Sequence, residues 1–296
     1  MLRQTIGWLH LNQPRMMASQ TFRVGVNVGF PARGFEETPL RARFERCCRA
    51  ARRLAEAGEE ITRTSVANAL AGLTALDFAE DVGVTVVPEL AGAVTGFANS
   101  SEGHDGRFIL VDVGGLTVDC AFFRIGKVRT YEKRIGIYAS ATCQHGVDVT
   151  EAWLDQDNSE AAIPPLIGSL ICDTLKEGSR KLRQDPLRRI AERTPVFFVG
   201  GGGKSELYRA ALPWAIKSLK NSVFETELVA RDLSPDRRDL DTPLCKGIDH
   251  DRLLVACGLS HDIGDILEWV TPDQIQDGAR VGRIDVDARM VGKEQV

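Results

Sequence analysis

No apolar run in this chain reaches the roughly 18–20 residues that a membrane helix needs, so the sequence predicts no spanning segment. Residues 1–15 are broken by Arg3, Gln4, His10, Asn12 and Gln13, which leaves no apolar signal core. Excess positive charge is missing too. A formal charge of −4 gives no general attraction toward nucleic acid or an anionic bilayer. The 7 cysteines include no C-x-x-C pair, and most sit inside apolar stretches. They read as small buried hydrophobes in a reducing, cytoplasmic compartment, and their spacing supplies no four-ligand zinc site. His10, His104, His145, His250 and His261 lack metal spacing, and the 4 tryptophans share no period. Internal repeats and low-complexity tracts are absent.

What is present is an ordinary globular composition, 43% apolar and 26% charged over 296 residues. That length suffices for one large domain or two lobes sharing a cleft. Residues 1–20 show no sustained period and are expected to be poorly ordered. The valine-rich run from Phe22 to Phe30 reads as a strand. Thr38-Pro39 opens a helix, with threonine as cap and proline in its first turn. Leu40, Phe44, Cys47, Cys48, Ala51 and Leu54 share one face of it. Arg41, Arg43, Arg46, Arg49, Arg52 and Arg53 crowd the remainder and read as a solvated basic face. A second helix is expected over Arg63–Glu80, a strand over Val82–Val87, and a helix over Leu90–Phe97. Strands at Phe108–Val113 and Thr117–Ile125 flank Gly114-Gly115 as a hairpin, and a third follows at Val128–Tyr138. Residues 148–193 read as mostly helical, broken at Pro164-Pro165 and Pro186. The buried strand Val196–Val199 enters four consecutive glycines, Gly200 to Gly203, with a helix from about Ser205. His250 to Asp262 reads as a final helix.

Two stretches carry the chemistry. In Asp112-Val-Gly-Gly-Leu-Thr-Val-Asp119, the glycines let backbone N–H groups approach phosphate oxygens with no side chain in the way. A carboxylate at a strand end can hold Mg²⁺ through water, and the Thr117 hydroxyl can bond a phosphate. Taken alone, this stretch is equally a plain two-glycine turn. In Val199-Gly-Gly-Gly-Gly-Lys-Ser205, a strand meets a helix start, where unpaired backbone donors suit a phosphate or a ribose edge. It fits neither the G-x-x-x-x-G-K-[ST] loop nor G-x-G-x-x-G.

In this order, the two stretches resemble the second phosphate motif and the adenosine motif of the actin-like ATPase superfamily, which includes DnaK-type chaperones, actins and sugar kinases. The likeness is closest to the chaperone branch. It implies an α/β actin-like ATPase (ribonuclease H-like) fold, with one complete lobe and a partial first lobe. It also implies ATP or ADP with Mg²⁺ as the cofactors. Asp112, Thr117 and Glu89 would be the catalytic positions, with Asp112 at the metal and Glu89 placing Mg²⁺ or the attacking water. Gly114, Gly115, Gly200, Gly201, Gly202, Gly203 and Lys204 would line the nucleotide. Glu177-Gly-Ser-Arg-Lys181 resembles that branch's E-x-x-[KR]-[KR] helix. By that likeness Glu177 accepts from the ribose, Arg180 stacks on adenine with Lys181 beside it, and Lys204 stands on the other side of the base. Gly146-Val-Asp148 resembles a small glycine-acid turn, and Arg252 to Leu259 a small-residue helix returning to the first lobe.

The expected organisation is a partial first lobe over 21–100 and a second lobe over 101–250 with a helical insertion near 148–193. A returning helix over 251–272 and a polar tail over 273–296 complete it. One motif of the family has no counterpart. The D-x-G-[ST] first phosphate loop is missing; Val24 to Phe30 offers Asn27 and Phe30 at its key places. Val26-Asn-Val-Gly-Phe-Pro-Ala32 is more similar to a later V-x-V-x-x-P-A strand. Each preorganised donor is worth roughly 10²–10³ in rate, so hydrolysis is expected to be impaired or partner-dependent. Nor does a peptide-clamp domain follow residue 270. The readings left open are a nucleotide-gated ATPase switch, a non-catalytic scaffold, a truncated or split half completed by a protein partner, and an actin-like filament protein of DNA segregation.

Overall fold

Alternation along a central, buried strand sets the architecture of the larger sheet. Gly106–Val113 (β3) sends Ile109, Val111 and Val113 to one side and Phe108 and Asp112 to the other. The computed structural model describes residues 11, 25–31, 38–58, 60–74, 83–128, 132–182, 193–220, 227–233, 251–261 and 269–270. The expectations for the N-terminus, the stretch around Pro186, the loop 234–250 and the polar tail lie outside those residues. The chain divides into two units, Met1–Gly92 and Ala93–Val296.

In the first unit, Val26–Phe30 (β1) pairs in parallel with Val84–Pro88 (β2), from Val26 opposite Val84 to Phe30 opposite Pro88. Thr38–Ala57 (α1) and Arg63–Ala71 (α2) lie between them in sequence. A capping box between Thr62 and Ser65 starts α2. Phe30 meets Phe44 edge-on at 4.8 Å, and Ala50, Leu54 and Ala69 form a small core. The arginines of α1 are not simply a solvated face. Arg46 and Arg53 donate to the Leu70 and Gly72 carbonyls at 3.3 and 2.8 Å, and Arg52 donates to Gly83 at 2.7 Å. Arg49, only 7% exposed, pairs with Glu45 and reaches the Val84 carbonyl. These guanidinium groups satisfy carbonyls at the end of α2 and the start of β2, where helix and strand leave acceptors unmatched.

The second unit is a mixed sheet in the order β7-β6-β3-β4-β5-β8. Val118–Val128 (β4) runs antiparallel to β3, and Glu132–Cys143 (β5) runs antiparallel to β4. Arg193–Val199 (β6) lies parallel to β3, with Glu227–Arg231 (β7) parallel to it at one edge. Trp269–Val270 (β8) adds a short parallel pairing to β5. One face, carrying Val111, Val113, Val118, Cys120 and Phe122, is covered by Ile163–Leu182 (α5) and Ala211–Leu219 (α7). The other is covered by Glu89–Ala98 (α3). Its Phe97 is fully buried and sits 5.0, 5.7 and 4.8 Å from the rings of Phe108, Phe123 and Phe197. Such pairs add about 0.5–1.5 kcal/mol each beyond area burial.

Two readings change here. Pro164-Pro165 do not break a helix; they occupy the first turn of α5, where a missing N–H costs nothing. β7 was not anticipated, because Leu228 is its one buried side chain and an edge strand shows little alternation. Among the described residues, no helix is long and apolar enough to cross a membrane.

The final helix, Leu254–Leu259 (α8), crosses α3 at Gly96. A Cβ at Gly96 would overlap the Leu254 carbonyl oxygen and stand 3.1 Å from the Gly258 nitrogen, backbone atoms that cannot rotate away. Gly96→Ala is therefore expected to cost about 2–3 kcal/mol through overpacking. Gly25→Ala, with nothing within 4 Å, should cost far less. Urea denaturation midpoints of the two variants check this.

Candidate functional site

The hairpin turn between β3 and β4 is shaped by what stands behind it. Gly114 N–H bonds the Thr117 carbonyl at 3.0 Å and closes a tight turn with Gly115 and Leu116 at its exposed tip. Behind it begins Val147–Leu154 (α4), capped by Gly146 without a side-chain bond. Its first amides find partners in the turn instead. Val147 donates to Gly114, Asp148 to Gly115 and Gly146 to Leu116, at 2.9, 2.9 and 3.1 Å. Three successive carbonyls of the turn thus face α4. In a trans peptide the N–H points opposite to the C=O. The N–H groups of Gly115, Leu116 and Thr117 therefore face away from α4, at the exposed tip. Successive amides aimed in this way form an anion-binding concavity.

Next to β3, β6 ends at Val199, in register with Asp112, and the glycine loop starts there. Gly200 has φ +81, and a Cβ there would overlap a carboxylate oxygen of Asp112. Gly202 N–H bonds the Val113 carbonyl at 3.0 Å, and its Cα packs on Val113 and Val147, so the two turns meet at those side chains. Gly203 is buried against the Val199 carbonyl. Gly201 differs. It is exposed, and the single atom within 4 Å of a Cβ placed there is the Arg252 guanidinium, at 4.0 Å. Behind the loop, Gly200 N–H donates to the Asp251 carbonyl at 3.2 Å, and Lys204 pairs with the buried Asp251 carboxylate at 2.9 Å. Arg209, in Glu206–Arg209 (α6), holds the Gly203 carbonyl at 2.9 Å and also pairs with Asp232.

Asp112 and Asp119 are directly opposed across β3 and β4, and each is 7% exposed. Opposed residues hold their Cβ atoms about 4.5–5.5 Å apart, so two carboxylates share one face of the sheet at its turn end. The hydroxyls of Thr117 and Thr142 donate to Asp119. Burial pushes the Asp119 carboxyl above its usual range, and those two hydroxyls pull it part of the way back.

Asp112, Gly114, Gly115, Thr117 and Gly200 to Lys204 are brought to one end of the sheet. Glu177, Arg180 and Lys181 are not among them. They lie late on α5, where Gly178 packs on Phe122 and Tyr138. Phe122 is on the face opposite Asp112 and well along β4 from the turn. Glu177 and Arg180 pair with each other at 2.9 Å, both widely exposed. Glu89 opens α3, in the first unit, half-buried. Three residues of the site were given no role from the sequence. Asp119 stood in the motif itself; Thr142 and Asp251 are distant in sequence and carry no local signal.

Because its folded carboxyl binds protons more tightly than in the unfolded chain, Asp119 contributes most when protonated. That contribution is lost as pH rises from below the unfolded value through the folded one. Asp119→Asn is expected to melt higher than the parent at pH 7.5, and the gap should shrink by pH 4, as read by thermal melts across that range.

No protein-family model matches the chain, and no curated protein matches it. Among solved structures it is similar to a non-polymerisable quadruple mutant of pCBH ParM. The identity is 15%, with 88% of this chain and 75% of that one covered and a TM-score of 0.36. It is also similar to the ethanolamine utilization protein EutJ from Carboxydothermus hydrogenoformans, at 14% identity, 88% and 72% coverage and a TM-score of 0.31. Scores this low add no argument; the strand order carries the assignment. A β3-β4-β5 meander flanked by parallel β6 and β7 is an α/β sheet of the ribonuclease H-like order.

Proposed function

We propose that the chain is a nucleotide-binding switch module of the actin-like ATPase type, holding Mg-ATP or Mg-ADP where the β3–β4 turn meets the β6 glycine loop. The observation that carries this reading is the peptide orientation of the turn. Three carbonyls are committed to α4, so three N–H groups face outward, while the Asp148 carboxylate, 2.7 Å from where a Gly115 Cβ would stand, accounts for the glycine on the side facing α4. Gly201 supports it from the second loop, since among the described residues no packing contact requires a glycine at that exposed position.

The donor set fits a metal-nucleotide complex rather than a metal alone. Among the described residues, no three His, Cys, Asp or Glu side chains converge as a metal cage. Mg²⁺ ordinarily keeps several waters and takes only one or two carboxylates with phosphate oxygens. Asp112 would hold it, with Asp119 alongside. When bound, the cation neutralises phosphate charge. The chain's own residues do the rest: the turn amides bind phosphate, Thr117 adds a hydroxyl, and Gly200 leaves room for the Asp112 carboxylate. Turnover needs positioned donors on the transferred phosphoryl group beyond these turns, so the reading is one of binding and switching. Of the chaperone-branch features, the Glu177 helix lies away from the turns.

Isothermal titration with Mg-ADP and Mg-ATP tests the proposal, with micromolar binding expected. Asp112→Ala and Gly201→Val should each weaken it by about tenfold or more, roughly 1.4 kcal/mol. Gly201→Val should leave the melting temperature nearly unchanged, because among the described residues a Cβ there meets only the tip of the Arg252 side chain, at 4.0 Å. Glu177→Ala should bind as the parent does. A folded parent that binds neither nucleotide would sink the reading and leave a scaffold or a split half.

A further inference from the structure

Among the described residues, three cations stand around the β6 glycine loop, and two of them are committed. Lys204 neutralises Asp251, whose side chain is only 9% exposed. Arg209 is divided between the Gly203 carbonyl and Asp232. Arg252 is exposed and, among the described residues, makes no hydrogen bond or ion pair. Its guanidinium stands 4.0 Å from the place a Gly201 Cβ would take, with no other atom as near. The loop therefore offers a bare backbone edge beside a flat, uncommitted cation. A planar aromatic group resting on Gly201 falls within the roughly 6 Å over which a guanidinium attracts a ring face. An anion is less well served there, since the outward amides belong to the other turn.

Resting on the nucleotide reading above, we propose that Arg252 stacks on the purine base of the bound nucleotide over Gly201, taking the base-side position that the sequence assigned to Lys204. Lys204 instead braces the loop through Asp251. Arg252 lies in a short turn whose neighbours Asp251 and Leu254 are buried, so the base of its side chain is fixed while the side chain is exposed.

The test titrates Mg-ADP and, separately, inorganic tripolyphosphate with Mg²⁺ into the full chain and into Arg252→Ala and Arg252→Lys. Stacking predicts that Arg252→Ala weakens Mg-ADP about five- to thirtyfold and leaves tripolyphosphate within about twofold. Arg252→Lys should fall between, because an ammonium keeps charge but lacks the plane. Equal loss for both ligands would overturn stacking in favour of a phosphate contact. Unchanged Mg-ADP binding by Arg252→Ala overturns the proposal while sparing the nucleotide reading. If the parent binds no Mg-ADP at all, both fail together.

Discussion

The site depends on a set of hydrogen bonds that it does not itself display. The first amides of α4 need acceptors, and Gly146 supplies no side-chain cap. The β3–β4 turn answers with three carbonyls in a row. Planarity of the peptide does the remainder, since committing each C=O inward commits the next N–H outward. The binding concavity is thus the back side of a helix cap. It needs no charged side chain, and it is held as rigidly as the helix that fixes it.

The glycines divide by cause. Gly200 answers to backbone sterics, with positive φ and a carboxylate where its side chain would stand. Gly202 and Gly203 answer to packing against Val113, Val147 and Val199. Among the described residues, Gly201 has only the Arg252 guanidinium near the place of a side chain. A row of four identical residues thus mixes three that shape the loop with one that leaves a surface open. Similarly, most of the basic character of α1 is spent inside the first unit on carbonyls of α2 and β2.

Much of the sheet was legible in the sequence because its signals are local. The Gly114-Gly115 hairpin, the buried Val196–Val199 run and the glycine loop each declare themselves within a few residues, and the structure places them side by side. The misses share a physical reason. β7 buries one side chain, Thr142 meets Asp119 only through cross-strand register, and Asp251 reaches the loop from far along the chain. Such contacts are fixed by pairing and crossover, which a linear reading does not contain. Glu177-Gly-Ser-Arg-Lys181 is a different case. Its residue types suit a ribose and a base, yet the helix that carries it is needed to cover the sheet's apolar face, and Gly178 is there to let Phe122 in.

The opposed pair Asp112 and Asp119 has one more consequence. Two carboxylates in register put negative potential beside the outward turn amides, and burial lets that potential reach further than it would in water. A bare polyphosphate meets repulsion and attraction at once, whereas the same polyphosphate carrying a divalent cation meets attraction from both. On the proposed nucleotide reading, the strand register would work as a charge filter, sorting ligands by whether they arrive with their counter-ion before any base or sugar is read.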